Sequence, residues 1–224
     1  RALDEAGLAK IRGDFAAATR RAERLGLDVI ELHMAHGYLL HQFLSPISNQ
    51  RDDTYGGSLE NRMRFPLEVF DAVRAVWPAE KPLGVRVSAT DWVEGGWTGD
   101  DTVELAKALD ARGCDFLDVS SGGLDPRQKI KLEPGYQVPY ARAVKQATDL
   151  VVVAVGMILT PRQAERIVAD GDADMVALAR GVMDNPRWAW HAAQELGVET
   201  QYPPQYLRAR PDFWPGVELS RALD

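Results

Sequence analysis

Two histidines and a tyrosine fall within the six-residue run His33-Met34-Ala35-His36-Gly37-Tyr38, which directly follows the alternating stretch Asp28-Val29-Ile30-Glu31-Leu32. At the end of a strand, two neutral imidazole N–H groups can be aimed at one point, where they would polarise a carbonyl oxygen or hold an anion. A phenol such as that of Tyr38 can donate a proton while carrying no charge near neutrality. Glu31, His33, His36 and His41 also include the residue types of a metal site. A pair of hydrogen-bonded histidines that merely caps a strand is the reading without a ligand.

A second group is set by strand alternation. If Ile30 and Leu32 face covering helices, Glu31 and His33 face the other way; in the next apolar run Leu83, Val85 and Val87 leave Gly84, Arg86 and Ser88 on that same side. Arg86 and Glu31 are therefore expected to meet as an interior ion pair, since a buried charge needs a partner. Such a pair is compatible with a purely structural role. Two later strand ends carry Val155-Gly156-Met157 and Ala179-Arg180-Gly181. Glycine lets a ligand approach backbone N–H groups and arginine grips phosphate through two hydrogen bonds, so Gly156, Ala179 and Arg180 are candidates for a phosphate site. A capping glycine beside a surface arginine is the alternative.

These residues need elements to position them, and the chain supplies an alternation. β-rich runs are expected at Asp28–His33, Leu83–Ala89, Phe116–Ser121, Val151–Val155 and Asp174–Leu178. Amphipathic helices are expected at Glu5–Leu25, Leu59–Val76, Asp101–Arg112, Val138–Ala147, Pro161–Ala169 and Asn185–Leu196. Ser58 and Thr160-Pro161 read as helix starts, and Gly113 and Gly171 as helix stops. Repeated β-then-α with apolar strands means a parallel sheet covered by helices. No Gly-x-Gly-x-x-Gly follows an early strand, and the polar candidates sit at strand C-termini, as in a (β/α)8 barrel. Five strands are countable, so the fold class expected is α/β, a TIM barrel of which this chain carries strands four to eight and lacks the first three. Residues 1–200 form the partial barrel and residues 201–224 a C-terminal tail in this reading. The polar run from Leu44 to Ser58 reads as a structural lid.

Bulk properties narrow the function. A net charge of −7 argues against nucleic acid or an anionic membrane as partner. No apolar run approaches the roughly 18 residues of a membrane span, and the start lacks the pattern of a signal peptide. Cys114 is the single cysteine, which leaves no internal disulfide, cysteine-based zinc site or iron–sulfur cluster. A cytoplasmic location fits. Arg-Ala-Leu-Asp stands both at residues 1–4 and at residues 221–224; we have no physical account of this repeat.

From Leu8 to about Arg208 the chain resembles the old yellow enzymes, in particular their bacterial NADPH dehydrogenase and xenobiotic reductase branch. The resemblance is carried by Glu31-Leu32-His33-Met34-Ala35-His36-Gly37-Tyr38-Leu39, by Phe43-Leu44-Ser45-Pro46-Ile47-Ser48-Asn49, and by Asp53-Thr54-Tyr55-Gly56-Gly57-Ser58-Leu59-Glu60-Asn61-Arg62. It implies FMN at the barrel mouth, with Arg86 at the flavin pyrimidine edge and Gly156, Ala179 and Arg180 on its phosphate. It implies that His33 and His36 bind the carbonyl oxygen of an α,β-unsaturated substrate, that Tyr38 protonates the α-carbon, and that NADPH (or NADH) reduces the flavin in a ping-pong cycle; no metal is implied. It also implies a dimer-based homo-oligomer in which Arg208 acts in a neighbouring subunit, Arg210 being the competing candidate. The family's cysteine that tunes the flavin lies in the absent strands, and Cys114 is not its counterpart. Activity is accordingly expected to need the missing N-terminal barrel half, whether as part of a longer chain or as a separate one. A metal-dependent barrel hydrolase and a non-catalytic barrel fragment are the rival functions.

Overall fold

The structure, a computed structural model, describes residues 2–217; Arg1 and residues 218–224 lie outside the described residues, and with them the second Arg-Ala-Leu-Asp and the first residue of the first. The chain forms two compact units, residues 1–159 with 163–179, and residues 160–162 with 180–224.

The first unit is built on a parallel sheet of five strands in sequential order: β1 (Ile30–Met34), β2 (Leu83–Ser88), β3 (Phe116–Ser120), β4 (Val151–Val155) and β5 (Met175–Ala177). Between them run α1 (Glu5–Arg24) ahead of the sheet, then α2 (Leu39–Leu44), α3 (Leu59–Arg74), α4 (Gly99–Asp110), α5 (Val138–Ala147) and α6 (Pro161–Ala169). All five strands fall within the sequence-expected runs save for one residue of β1, because each run is β-branched and bounded by turn residues. None of the helices is long and apolar enough to cross a membrane among the described residues.

Helix ends follow local chemistry. The Ser58 side chain accepts from the Asn61 N–H at 3.3 Å and opens α3, a contact worth about 1 kcal/mol. Thr98 and Asp101 form a reciprocal capping box at α4. That box starts the helix two residues before the expected Asp101, because Asp here fills the place more often taken by Glu or Gln. Helix α3 buries Arg62, Phe65, Pro66, Val69, Phe70 and Val73, a stripe at helical spacing that faces the core. Two short helices escaped the sequence pattern: α2, of 6 residues, and α7 (Arg180–Asp184), of 5. Neither is long enough to display a period. The run after α2 is a tightly bonded loop, in which Asn49 Nδ2 donates to the carbonyls of Phe43 and Tyr55, both at 2.7 Å, and Arg62 Nε to that of Leu44 at 2.8 Å.

The two faces of the sheet differ sharply. Leu83, Val85, Leu117, Val119, Val152 and Ala154 are fully buried under the helices. The opposite face carries the polar residues His33, Arg86, Ser88, Asp118 and Ser120 on β1 to β3 and is apolar on β4 and β5, where Val151 and Met175 are 41% and 46% exposed. β1 and β5 each have one neighbour, so each presents an unpaired outer edge. The second unit contains α7, α8 (Trp188–Glu195) and a 3₁₀ helix (Pro204–Ala209). Trp190 packs tilted against Tyr202 and edge-on against Tyr206, and the Arg187 guanidinium lies 4.8 Å from the Trp190 ring centre.

An unpaired parallel edge and an exposed apolar face both favour association. The chain expressed by itself is expected to self-associate and to bind a hydrophobic dye, as read by light scattering and dye fluorescence. A dye-silent monomer that melts cooperatively would contradict this.

Candidate active site

Parallel register lines up the polar face. His33 of β1 lies beside Arg86 of β2, which lies beside Asp118 of β3. One row further along, Ser88 pairs with Ser120. Where β1 ends, the chain turns through two residues of positive φ, His36 at 57° and Gly37 at 76°. The turn folds His36 and Tyr38 back on His33: the His33 ring centre is 5.1 Å from that of His36 and 5.3 Å from that of Tyr38, the latter edge-on. Non-glycine residues with positive φ are strained and concentrate at functional turns. The three among the described residues, His36, Trp92 and Met157, all follow strand C-termini.

The turn is held in place by its neighbours. The His36 N–H donates to Ser88 Oγ at 3.0 Å, and Ser88 donates to the Gly122 carbonyl at 2.8 Å. The ring nitrogen Nε2 of His36 is 2.8 Å from Ser120 Oγ. The Gly123 backbone lies against the turn so closely that a Cβ at Gly37 would stand 2.6 Å from the Gly123 oxygen. A Cβ at Gly123 would stand 2.8 Å from the His36 Cα. Two loops therefore meet backbone to backbone, which glycine alone permits at both positions.

The electrostatics favour uncharged imidazoles. Burial, with the positive charge of Arg86 next, holds the His36 imidazole down at about 4. His33 is lowered by the same two causes in the same order. Arg86 Nη1 is 3.4 Å from Asp118 Oδ2, while Arg86 Nε and Asp118 Oδ1 are buried with no hydrogen-bond partner. Burial pushes the Asp118 carboxyl up, against the pull of Arg86. Glu31, expected as the partner of Arg86, is instead an exposed neighbour whose carboxyl is raised by partial burial and by Asp118. The sequence reading missed Asp118 and Ser120, although the alternation of Phe116, Asp118 and Ser120 against Leu117 and Val119 marks them as facing Arg86 and Ser88.

The metal reading of Glu31, His33, His36 and His41 fails on geometry. His41 is fully buried beneath the turn, with Nδ1 accepting from the Gly37 N–H at 2.9 Å and Nε2 facing Asp91. No group of three or more metal-ligating side chains occurs among the described residues. Gly156, at the end of β4, has φ 109°, and a Cβ there would strike the Gln137 amide at 2.3 Å. Ala179 is exposed two residues past β5. In the second unit Arg180 opens α7, and Arg208 lies exposed on the 3₁₀ helix. Burial pushes the Cys114 thiol up to about 12, which makes it inert.

A parallel β/α sheet with polar side chains gathered at its strand C-termini is the architecture of part of an α/β barrel. The chain belongs to the NADH:flavin oxidoreductase / NADH oxidase family, whose model matches residues 1–199. It is 48% identical over 194 residues to an NADPH dehydrogenase of Geobacillus sp. (strain WCH70), covering 87% of this chain and 56% of that protein. Among solved structures, that of a 2-naphthoyl-CoA reductase with 2-naphthoyl-CoA aligns at a TM-score of 0.81 and 28% identity, over 87% of this chain and 30% of the other. Morphinone reductase in complex with tetrahydroNAD aligns at 0.72 and 31%, over 92% and 53%. The chain thus spans little more than half the length of the curated relatives it matches, and its five strands are part of an old yellow enzyme barrel. FMN and NAD(P)H are the cofactors of this family.

The unfolded chain binds the extra proton on His36 between the ordinary imidazole value of 6.5 and about 4. Stability contributed by the neutral ring is therefore complete above that window and is lost as pH falls through it. Nuclear magnetic resonance titration should place His36 near 4 and His33 below the ordinary range, and Arg86→Met should raise both midpoints. Unchanged midpoints in that variant would refute the charge coupling. Gly37→Ala should destabilise by roughly 1–3 kcal/mol in urea unfolding, through its positive φ and the Gly123 contact.

Proposed function

We propose that this chain carries the catalytic face of an FMN-dependent ene-reductase that reduces the C=C bond of α,β-unsaturated carbonyl compounds with NAD(P)H. The observation that carries this reading is the convergence of His33, His36 and Tyr38 beside Arg86 at the strand ends.

The residues present fit a flavin. Arg86 Nε is buried without a partner, a donor that needs an acceptor such as the pyrimidine edge of FMN. Arg86 would hold that edge, and Gly156 and Ala179 the phosphate. When bound, FMN would supply hydride chemistry, with NAD(P)H as its reductant. His33 and His36, kept neutral by burial and by Arg86, donate N–H hydrogen bonds to the substrate carbonyl oxygen and draw electron density from the alkene. Tyr38, 65% exposed, delivers its phenolic proton to the α-carbon, so one hydride and one proton complete the saturated C–C bond. In the assembled protein, a dimer-based homo-oligomer, Arg208 is our candidate for a residue entering the neighbouring site. The barrel strands absent here complete the flavin site.

The test is the full-length barrel with paired substitutions. His33→Ala combined with His36→Ala should retain released, quantifiable FMN yet lower alkene reduction by at least about 100-fold. Tyr38→Phe should keep substrate binding and slow reduction by about 100-fold. A protein that carries stoichiometric zinc and no flavin would refute the reading.

A further inference from the structure

The buried pair beneath the turn has no part in the chemistry above. His41 and Asp91 are both fully buried, and Nε2 of His41 is 3.0 Å from Asp91 Oδ1, a close polar contact though not a straight hydrogen bond. The other carboxylate oxygen, Oδ2, accepts from Ser45 Oγ at 2.6 Å and from the Trp97 N–H at 2.8 Å. On the far side of the ring, Nδ1 accepts the Gly37 N–H at 2.9 Å. That bond requires Nδ1 to be unprotonated, which places the ring proton on Nε2, where it meets the carboxylate.

Gly37 is the residue between His36 and Tyr38. We propose that Asp91 and His41 are positioning residues: Asp91 fixes the Nε2–H tautomer of His41, whose Nδ1 lone pair then pins the Gly37 amide and sets the directions of His36 and Tyr38. Ser88 holds the His36 amide from one side and Gly123 packs against the turn from another, but neither bonds the Gly37 amide. Without His41 that amide would be left to find another acceptor at a strained turn, and the His36 and Tyr38 directions would no longer be fixed together. The pair thus does for the carbonyl-binding turn what a carboxylate does for a metal-bound or catalytic histidine, by choosing which nitrogen keeps its lone pair. Its consequence for catalysis rests on the ene-reductase reading, whereas its geometry does not.

Asp91→Asn discriminates, because it keeps shape and changes only donor and acceptor. Oδ2 receives two donors, so the amide oxygen stays there and the amide nitrogen faces His41, which drives the ring to the Nδ1–H form and sets it donor to donor against Gly37. In the ¹⁵N-labelled full-length protein, long-range histidine spectra should show His41 as the Nε2–H tautomer. In Asp91→Asn that tautomer should switch, the His33 and His36 ring signals should shift, and the Gly37 amide should exchange at least about tenfold faster. His41→Asn, which retains an acceptor near the Nδ1 position, should preserve most of the Gly37 protection; His41→Leu should not. An Nδ1–H His41 in the unaltered protein would overturn the proposal. So would a folded Asp91→Asn with unchanged exchange, and, should that variant fail to fold, equal exchange in His41→Asn and His41→Leu. None of these readouts needs flavin or turnover, so a failure of the ene-reductase reading would leave them interpretable.

Discussion

The site depends on one constraint, the in-register parallel pairing of β1, β2 and β3 that brings Arg86 between His33 and Asp118. Side chains in register on parallel strands share a face, so a single guanidinium is aligned with an imidazole on one side and a carboxylate on the other. Its positive charge disfavours protonation of His33 and His36, and its partly unpaired state leaves a donor facing the polar side of the sheet. A register slip by one residue would carry Arg86 into the apolar layer of Val85 and Val87 and remove all three effects together.

The second requirement is a turn that neither strand nor helix can supply. His36 and Gly37 take left-handed backbone conformations, and the adjoining β3–α5 loop fits against them only because Gly37 and Gly123 lack side chains. Strain of this kind persists when the surroundings over-determine it. Here the surroundings are Ser88, the Gly123 backbone and the buried His41, each gripping a different atom of the same two residues. His36 and Tyr38 are thereby held in place although they lie outside the strands and helices.

Polarity along the inner face divides the labour within the first unit. On the face that carries the site, β1 to β3 present His33, Arg86, Asp118, Ser88 and Ser120, whereas β4 and β5 turn valine, methionine and alanine toward the same side. An apolar surface of that extent on an open sheet is what a closed barrel buries, in agreement with relatives of which the matched region is only 56–60%.

The sequence by itself determined the alternation of strands and helices, the parallel sheet, and the run from His33 to Tyr38, because these rest on local periodicity and neighbouring residues. It also marked Arg86 as inward-facing, through the period of two along Leu83 to Ser88. Tertiary structure alone decided which carboxylate answers Arg86: Asp118 rather than Glu31, since cross-strand distance depends on strand order and side-chain reach. It likewise decided that His41 turns inward. Four residues after Gly37 in the sequence, His41 resembles a third ligand for the same site; only the packing of α2 brings it against Asp91, a residue 50 positions away that no local pattern could have joined to it.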